Sequence, residues 1–244
     1  MSALVIIPTF NERDNLPALV EAILSLDAGL HVLIVDDGSP DGTGEIADRL
    51  ARETGRVSVL KRSGKQGLGT AYVAGFRYAL SHDFDLVVEM DADFSHRPED
   101  LPRLIAAAKE ADVVIGSRNV PGGRVVGWSP LRQLVSKGGS IYARLLLGLP
   151  VADCTSGFKC FRRSALQILD LDALRSNGYA FQVEVNFACA QAGLRFAEVP
   201  IVFPDRARGK SKMSWHIAAE AAWLVLRFRM GLSQPPILSA AVGG

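Results

Sequence analysis

Asp85-Leu86-Val87-Val88-Glu89-Met90-Asp91-Ala92-Asp93 is the stretch on which the fold turns. A short apolar run rich in β-branched residues reads as a buried strand, and two carboxylates, one residue apart, stand where it ends. In a parallel α/β sheet, ligands bind at the carboxyl ends of the strands. Side chains two apart on an extended segment point the same way, so Asp91 and Asp93 can converge on one hard cation. A cation held by few protein oxygens keeps positions for substrate phosphates. Asp-x-Asp also occurs in ordinary solvated turns, so the pair takes its meaning from its surroundings.

Outward from this strand, the first 120 residues alternate short apolar runs with amphipathic stretches. Strands are predicted at 4–7, 31–35, 57–60, 86–90 and 113–115. Helices are predicted at 16–26, 44–51, 71–80 and 98–109, the first from the spacing of Leu16, Leu19, Val20, Ile23 and Leu26. Such alternation predicts an α/β fold with a mostly parallel central sheet and helices on both faces. After Ser117-Arg118, residues 119–129 are Gly- and Pro-rich and read as a loop. A helix follows at 131–147, then a strand-like 157–161, a helix around 183–192, a strand at 196–202 and an apolar helix at 214–230.

The 244 residues, 48% of them hydrophobic, suffice for one large domain, here 1–212, with a helix and tail at 213–244. A net charge of +1 provides no global field for nucleic acid. Cys154, Cys160 and Cys189 are odd in number and lack zinc-site spacing, as expected of reduced, buried thiols in a cytosolic protein. Residues 1–8 have no basic segment and enter a strand at once, unlike a signal peptide. No run of about 20 uncharged apolar residues is present to span a bilayer.

If the strands are parallel, three turns face one crevice: Pro8-Thr9-Phe10-Asn11-Glu12, Asp36-Asp37-Gly38-Ser39 and the Asp91/Asp93 pair. Asp37 can accept from a nucleobase edge, while Pro8 and Phe10 offer apolar surface to a base. Asn11 and Asp41 have an ordinary alternative as helix N-caps. Gly64-Lys65-Gln66-Gly67-Leu68-Gly69-Thr70 lacks Walker spacing and reads as a turn feeding a closely packed helix. The basic stretch from Asp205 to Lys212 reads first as a solvated loop. With Arg118, however, Arg206 and Lys212 could hold a leaving diphosphate.

These elements, together with Gly67-Leu68-Gly69-Thr70-Ala71-Tyr72, Met90-Asp91-Ala92-Asp93-Phe94-Ser95-His96, Gly116-Ser117-Arg118, Thr155-Ser156-Gly157-Phe158 and Gly178-Tyr179-Ala180-Phe181-Gln182-Val183-Glu184, resemble dolichol-phosphate mannosyltransferase catalytic subunits. Those enzymes are family 2 glycosyltransferases with the GT-A nucleotide-sugar-binding fold. The match runs in order over nearly the whole chain. The Asp-Asp-Gly-Ser and Asp-Ala-Asp elements are shared widely, whereas Ser-Gly-Phe, Tyr-Ala-Phe-Gln-Val-Glu and the basic stretch are more specific.

The resemblance implies inverting transfer of mannose from GDP-mannose to a polyprenyl monophosphate. Pro8, Phe10, Glu12, Val35 and Asp37 would hold the guanosine, and Asp91, Ala92 and Asp93 the diphosphate with its Mg²⁺ or Mn²⁺. Arg118, Arg206 and Lys212 would grip phosphates or sugar. Arg132 and Ser136, with Lys137 beside them, would meet the lipid phosphate. Phe10 stands where relatives often have Tyr, and Ser95 where some have a third metal ligand, Gln. A phosphate monoester is mostly dianionic at neutral pH, with its second pKa near ~6, so no carboxylate base is expected.

The lipid acceptor implies peripheral association with the cytoplasmic face of a membrane, directly or through a separate membrane-anchoring subunit. The 214–230 helix would either pack on the domain or lie in the interface with Trp215, Trp223 and Phe228 inward. Two alternatives stand beside this reading: a glucosyltransferase using UDP-glucose, and a non-catalytic nucleotide-sugar-binding subunit.

Overall fold

The computed structural model describes residues 1–205 and 215–238. The strands are β1 (Ala3–Thr9), β2 (Leu30–Asp36), β3 (Val57–Lys61), β4 (Leu86–Glu89), β5 (Val113–Ser117), β6 (Arg124–Val126), β7 (Lys159–Arg162), β8 (Phe196–Pro200) and β9 (Val202–Pro204). The helices are α1 (Leu16–Leu24), α2 (Thr43–Thr54), α3 (Leu68–Ser81), α4 (Leu101–Ala107), α5 (Pro130–Leu147), α6 (Arg163–Ile168), α7 (Gly178–Gln191) and α8 (Trp215–Arg229).

The main sheet runs β3-β2-β1-β4-β7-β5-β8. Its strands pair in parallel except β7, which is antiparallel to β4 and to β5. Successive side chains on a strand face opposite ways, and on β1 both ways are core. Leu4 and Ile6 enter the layer with α3 and α7, whereas Ala3, Val5 and Ile7 enter the layer with α1 and α4. That two-sided burial is why the strands read as continuous apolar runs. Each fully buried Leu, Ile or Val contributes about 1.5–3 kcal/mol.

Leaving β1, the chain first builds β2 and β3 on one side, with α1 and α2 in one layer. It then passes through α3 in the other layer and returns as β4 on β1's far edge. Strand order therefore reverses between β1 and β4, and their carboxyl ends part to leave a crevice.

The structure differs from the sequence reading in three places. Residues 119–129 are not all loop, because β6 pairs in parallel with β9 in a second, two-stranded sheet. The 196–202 strand breaks at Ile201: β8 stays in the main sheet and β9 leaves it to meet β6. Helix α7 starts at Gly178, earlier than its apolar spacing suggested, and α6 was not anticipated. Of the two placements weighed for the 214–230 helix, the structure shows the first: α8 packs on the domain, against α5 and α7. Phe228 is buried with its ring centroid 4.8 Å from that of Phe187, so it does not face a membrane. Trp223 is exposed, and the Trp215 side chain lies outside the described residues. Beyond α8 the chain stays on the domain, where the Leu238 amide donates to the Ile168 carbonyl at 2.9 Å. All three cysteines are buried and free. Among the described residues no helix is long and apolar enough to cross a membrane.

Candidate active site

A crevice of about 280 Å³ opens at the carboxyl ends of β1, β2 and β4. Pro8, Phe10 and Glu12 line it from β1, Asp37 from β2, and Asp91, Ala92 and Asp93 from β4. The three turns predicted to share one edge do share it. Val35 does not join them: its side chain is fully buried in the core. Asp36 and Asp37 divide their labour. Asp36 accepts from Thr9 Oγ1 (3.0 Å) and Ser39 Oγ (2.6 Å), tying the β1 and β2 turns together. Asp37 faces the crevice with Arg62 Nε 3.2 Å from its Oδ1, and the Gln66 amide donates to Oδ2 at 3.3 Å. Burial raises the Asp37 carboxyl above its ordinary value, with Arg62 pulling against it.

Asp41 is not the N-cap of α2, which is Gly42; it stands one residue earlier and accepts from the Thr43 amide (3.0 Å) and hydroxyl (2.6 Å) at the helix entrance. Asn11 does not cap α1, whose N-cap is Asn15. Asn11 instead takes a φ of 62° and donates its amide to Ser39 Oγ at 3.0 Å. The Gly64–Thr70 turn packs as tightly as expected, since a Cβ on Gly69 would lie 2.3 Å from the Ser176 carbonyl oxygen. It also lends Lys65, Gly67 and Leu68 to the crevice wall, with Lys65 Nζ 4.8 Å from the centre of the Phe10 ring.

The carboxylate pair is braced from behind. Asp93 Oδ1 accepts from the Ser95 amide (3.0 Å) and hydroxyl (2.5 Å). Ser95 thus steadies Asp93 and is not itself part of the crevice wall. The Asp91 amide donates to His96 Nδ1 at 2.9 Å, and the Tyr72 hydroxyl donates to Asp91 Oδ1 at 3.4 Å. Phe94, between them, holds a φ of 60°, a costly region for an aromatic residue that the surrounding bonds enforce. Among the described residues no three His, Cys, Asp or Glu side chains gather as a metal cage. Two hard carboxylates on an open crevice fit a divalent cation that completes its shell with substrate oxygens.

His96 must be neutral at Nδ1 to accept that amide. Burial lowers its pKa, with Asp91 and Asp93 opposing the shift. Because the folded value lies below the ordinary 6.5, the unfolded chain takes up the proton first as pH falls. Stability should therefore decline as pH drops below 6.5. Melting curves of His96→Asn, which keeps an acceptor but cannot titrate, should show a flatter decline than those of the native protein.

Arg118 is buried, and its Nε and Nη2 each donate to Asp153 at 2.7 Å, Nη2 also reaching Thr155 at 2.9 Å. Its guanidinium lies 5.8 Å from the Trp128 ring centre and 5.2 Å from that of Phe203. It stands behind the crevice wall instead of lining it. Arg132 stacks 3.9 Å from the Trp128 ring centre and donates to Asp205 at 2.9 Å. Ser136 lines a second, apolar pocket of about 100 Å³ between α5, α7 and α8, and Thr155 and Tyr179 belong to the walls of both pockets. Lys137 is exposed on α5. Arg206 and Lys212 lie outside the described residues. Thr155, Gly157, Tyr179 and Gln182 were visible in the sequence only as family signatures, yet they form the crevice's far wall.

Comparisons with known proteins agree with this geometry. Residues 4–169 match the family described as Glycosyl transferase family 2. An undecaprenyl-phosphate mannosyltransferase of Micrococcus luteus is 48% identical over 243 residues, 95% of this chain and 100% of that one. A polyprenol monophosphomannose synthase of Mycolicibacterium smegmatis is 47% identical over 91% of this chain and 84% of its own. In fold, the chain is similar to glucosyl-3-phosphoglycerate synthase of Mycobacterium tuberculosis, solved with Mn²⁺ and UDP (TM-score 0.68, 21% identity, 96% of this chain and 81% of that one). It is also similar to the mannosyltransferase PcManGT of Pyrobaculum calidifontis, solved with GDP-Man and Mn²⁺ (TM-score 0.64, 18% identity, 96% and 65%). The family match over residues 4–169 and the 48% identical relative place the chain in glycosyltransferase family 2, and the crevice at the β1/β4 switch point with its braced carboxylate pair agrees with that.

Proposed function

We propose that this glycosyltransferase moves mannose from GDP-mannose to a polyprenyl monophosphate by a single inverting displacement. The observation that carries the lipid half of this reading is the apolar pocket between α5, α7 and α8, which shares Thr155 and Tyr179 with the crevice. In this reading the first isoprene unit of the tail enters this small pocket, with Ser136 in its wall and the phosphate turned toward the crevice. The outer face of α5 agrees with a membrane-borne substrate. Leu131, Leu134, Ile141 and Leu145 recur at helical spacing and are exposed, with Lys137 and Arg144 also exposed and no acidic residue in the helix. A basic amphipathic helix of this kind lies at a lipid surface.

Asp91 and Asp93 would hold Mg²⁺ or Mn²⁺. When bound, the ion screens the two anions from each other and stabilises charge growing on the GDP leaving group. Phe10, Pro8 and Asp37 bind the base, and Lys65 adds positive charge at that end of the crevice. Arg132 keeps the acceptor phosphate oriented for in-line attack. Arg206 and Lys212 complete the phosphate contacts in this reading. The acceptor is already a dianion for the most part, so the wall needs no proton acceptor.

The test is transfer of labelled mannose from GDP-mannose to a short polyprenyl phosphate with Mn²⁺. Lipid-extractable mannose is expected. Product only with UDP-glucose would replace the donor, and no product with either would overturn the reading.

A further inference from the structure

The element Gly67-Leu68-Gly69-Thr70-Ala71-Tyr72 has evident work up to its last residue. Gly67, Leu68 and Ala71 line the crevice, Gly69 lets α3 close on the Ser176 carbonyl, and Thr70 Oγ1 accepts from Arg62 Nη2 at 2.8 Å. Tyr72 remains. It stands behind the wall, fully buried, in the layer of core that α3 shares with α7. Its ring stacks on those of Phe76 and Phe181, with centroids 6.4 and 6.0 Å away.

A phenylalanine would make the same ring contacts, so packing does not ask for a hydroxyl. A hydroxyl taken into an apolar core costs free energy unless it is hydrogen-bonded. This one is aimed out of the core and at the carboxylate pair, donating to Asp91 Oδ1 at 3.4 Å. Burial, and then the charges of Asp91 and Glu89, push the phenol well above its ordinary value, so it keeps its proton and acts as a donor.

The two crevice carboxylates are therefore braced differently. Asp93 is held by Ser95 within its own turn, whereas Asp91 is held by a side chain of α3, 19 positions earlier. By keeping Oδ1 turned toward α3, the Tyr72 hydroxyl sets the rotation of the Asp91 carboxylate. That rotation bears on the choice of ion. Ca²⁺ can take a carboxylate through both oxygens in a large, adaptable shell, while the smaller Mg²⁺ demands a near-octahedral one, which Mn²⁺ also takes. A carboxylate engaged from behind through one oxygen is poorly placed to clasp an ion with both.

We propose that Tyr72 is a positioning residue that sets the ion preference of the site: its hydroxyl holds the Asp91 carboxylate for Mg²⁺ or Mn²⁺ and against Ca²⁺. This rests on the reading of Asp91 and Asp93 as metal ligands and deepens it.

Calorimetric binding of Mn²⁺ and of Ca²⁺, each with GDP present, is compared for the native protein, Tyr72→Phe and Asp93→Asn. GDP binding and melting are measured beside it without metal. Tyr72→Phe should bind Mn²⁺ about tenfold more weakly, the usual loss when a partner behind a metal ligand is removed. It should bind Ca²⁺ as well as the native protein does, or better, and Ca²⁺ should inhibit its Mn²⁺-dependent mannose transfer more readily. Its melting temperature and metal-free GDP affinity should stay at native values, because the ring contacts are kept. Equal loss of both ions would overturn the proposal by making the hydroxyl a brace without preference, and native affinity for both would remove it from the site. A fall in metal-free GDP affinity would also overturn it, by placing Asp91 on the nucleotide. Native protein that binds neither ion, or Asp93→Asn that binds both normally, would overturn the metal reading itself. That result is distinct from native protein that binds Mn²⁺ while Tyr72→Phe matches it.

Discussion

Asp93→Asn should reduce mannose transfer by on the order of a hundredfold or more, the several kcal/mol that a bound cation supplies to a departing diphosphate. The fold should survive, because the asparagine Oδ1 can still accept the Ser95 amide and hydroxyl that Asp93 receives at 3.0 and 2.5 Å. What is lost is the negative charge at the crevice floor. Titrating Mn²⁺ into the transfer assay checks the cause. The variant should need much more metal, or fail to saturate, while its melting temperature without metal stays near that of the native protein. A variant that turns over normally at native metal concentrations would remove Asp93 from the metal site.

Arg118→Met should be the most destabilising single change among the described site residues. The guanidinium and the Asp153 carboxylate are both buried and make two side-chain hydrogen bonds of 2.7 Å. Removing one partner strands the other charge, at a cost of about 3–5 kcal/mol. In a chain of this size that corresponds to a melting temperature lower by roughly 6–20 °C. Adding Asp153→Asn should restore a good part of the loss. The neutral amide needs no counter-charge and can still accept the Arg118 backbone amide, which Asp153 takes at 2.9 Å.

The pH dependence of this pair has a definite sign. Burial alone would raise the Asp153 carboxyl, but Arg118, through its charge and its hydrogen bonds, holds it below the ordinary 3.8. The unfolded chain therefore protonates first. The pair's stabilisation is present above pH 3.8 and is lost as pH falls through the folded value. Acid melts of the native protein and the double variant should diverge above that range and converge below it.

The sheet and its ligand edge were legible because each rests on local pattern. Leu4 to Ile7 and Leu86 to Val88 are apolar on both faces, as strands of a covered parallel sheet must be, and Asp37, Asp91 and Asp93 follow directly at strand ends. The β6–β9 pair was hidden because three residues such as Arg124–Val126, mostly exposed, carry no periodicity and are fixed only by a partner far along the chain. Val35 was credited through resemblance with a ligand contact, yet its side chain lies in the core, which alternation could not show because Val35 shares a side of β2 with Asp37. Arg118 was legible as a functional charge but not as half of a buried pair, since Asp153 lies 35 positions away. Gln182 was legible only as part of a family signature, because its place in the crevice wall depends on how α7 packs against the sheet.

The antiparallel strand β7 has a consequence for how the chain comes off the ribosome. Among the described residues it alone joins β4 to β5 in the main sheet, and it is made of Lys159–Arg162. Until those residues emerge, a nascent chain already carrying β1 to β5 has an unmatched edge on β4, and β5 has neither neighbour, since β8 is made later still. Open edges of that kind recruit other chains. Folding of the first 150 residues should thus stall with β3-β2-β1-β4 open at the β4 edge and β5 unpaired, and release of a product truncated before Lys159 should yield aggregate instead of a smaller folded domain.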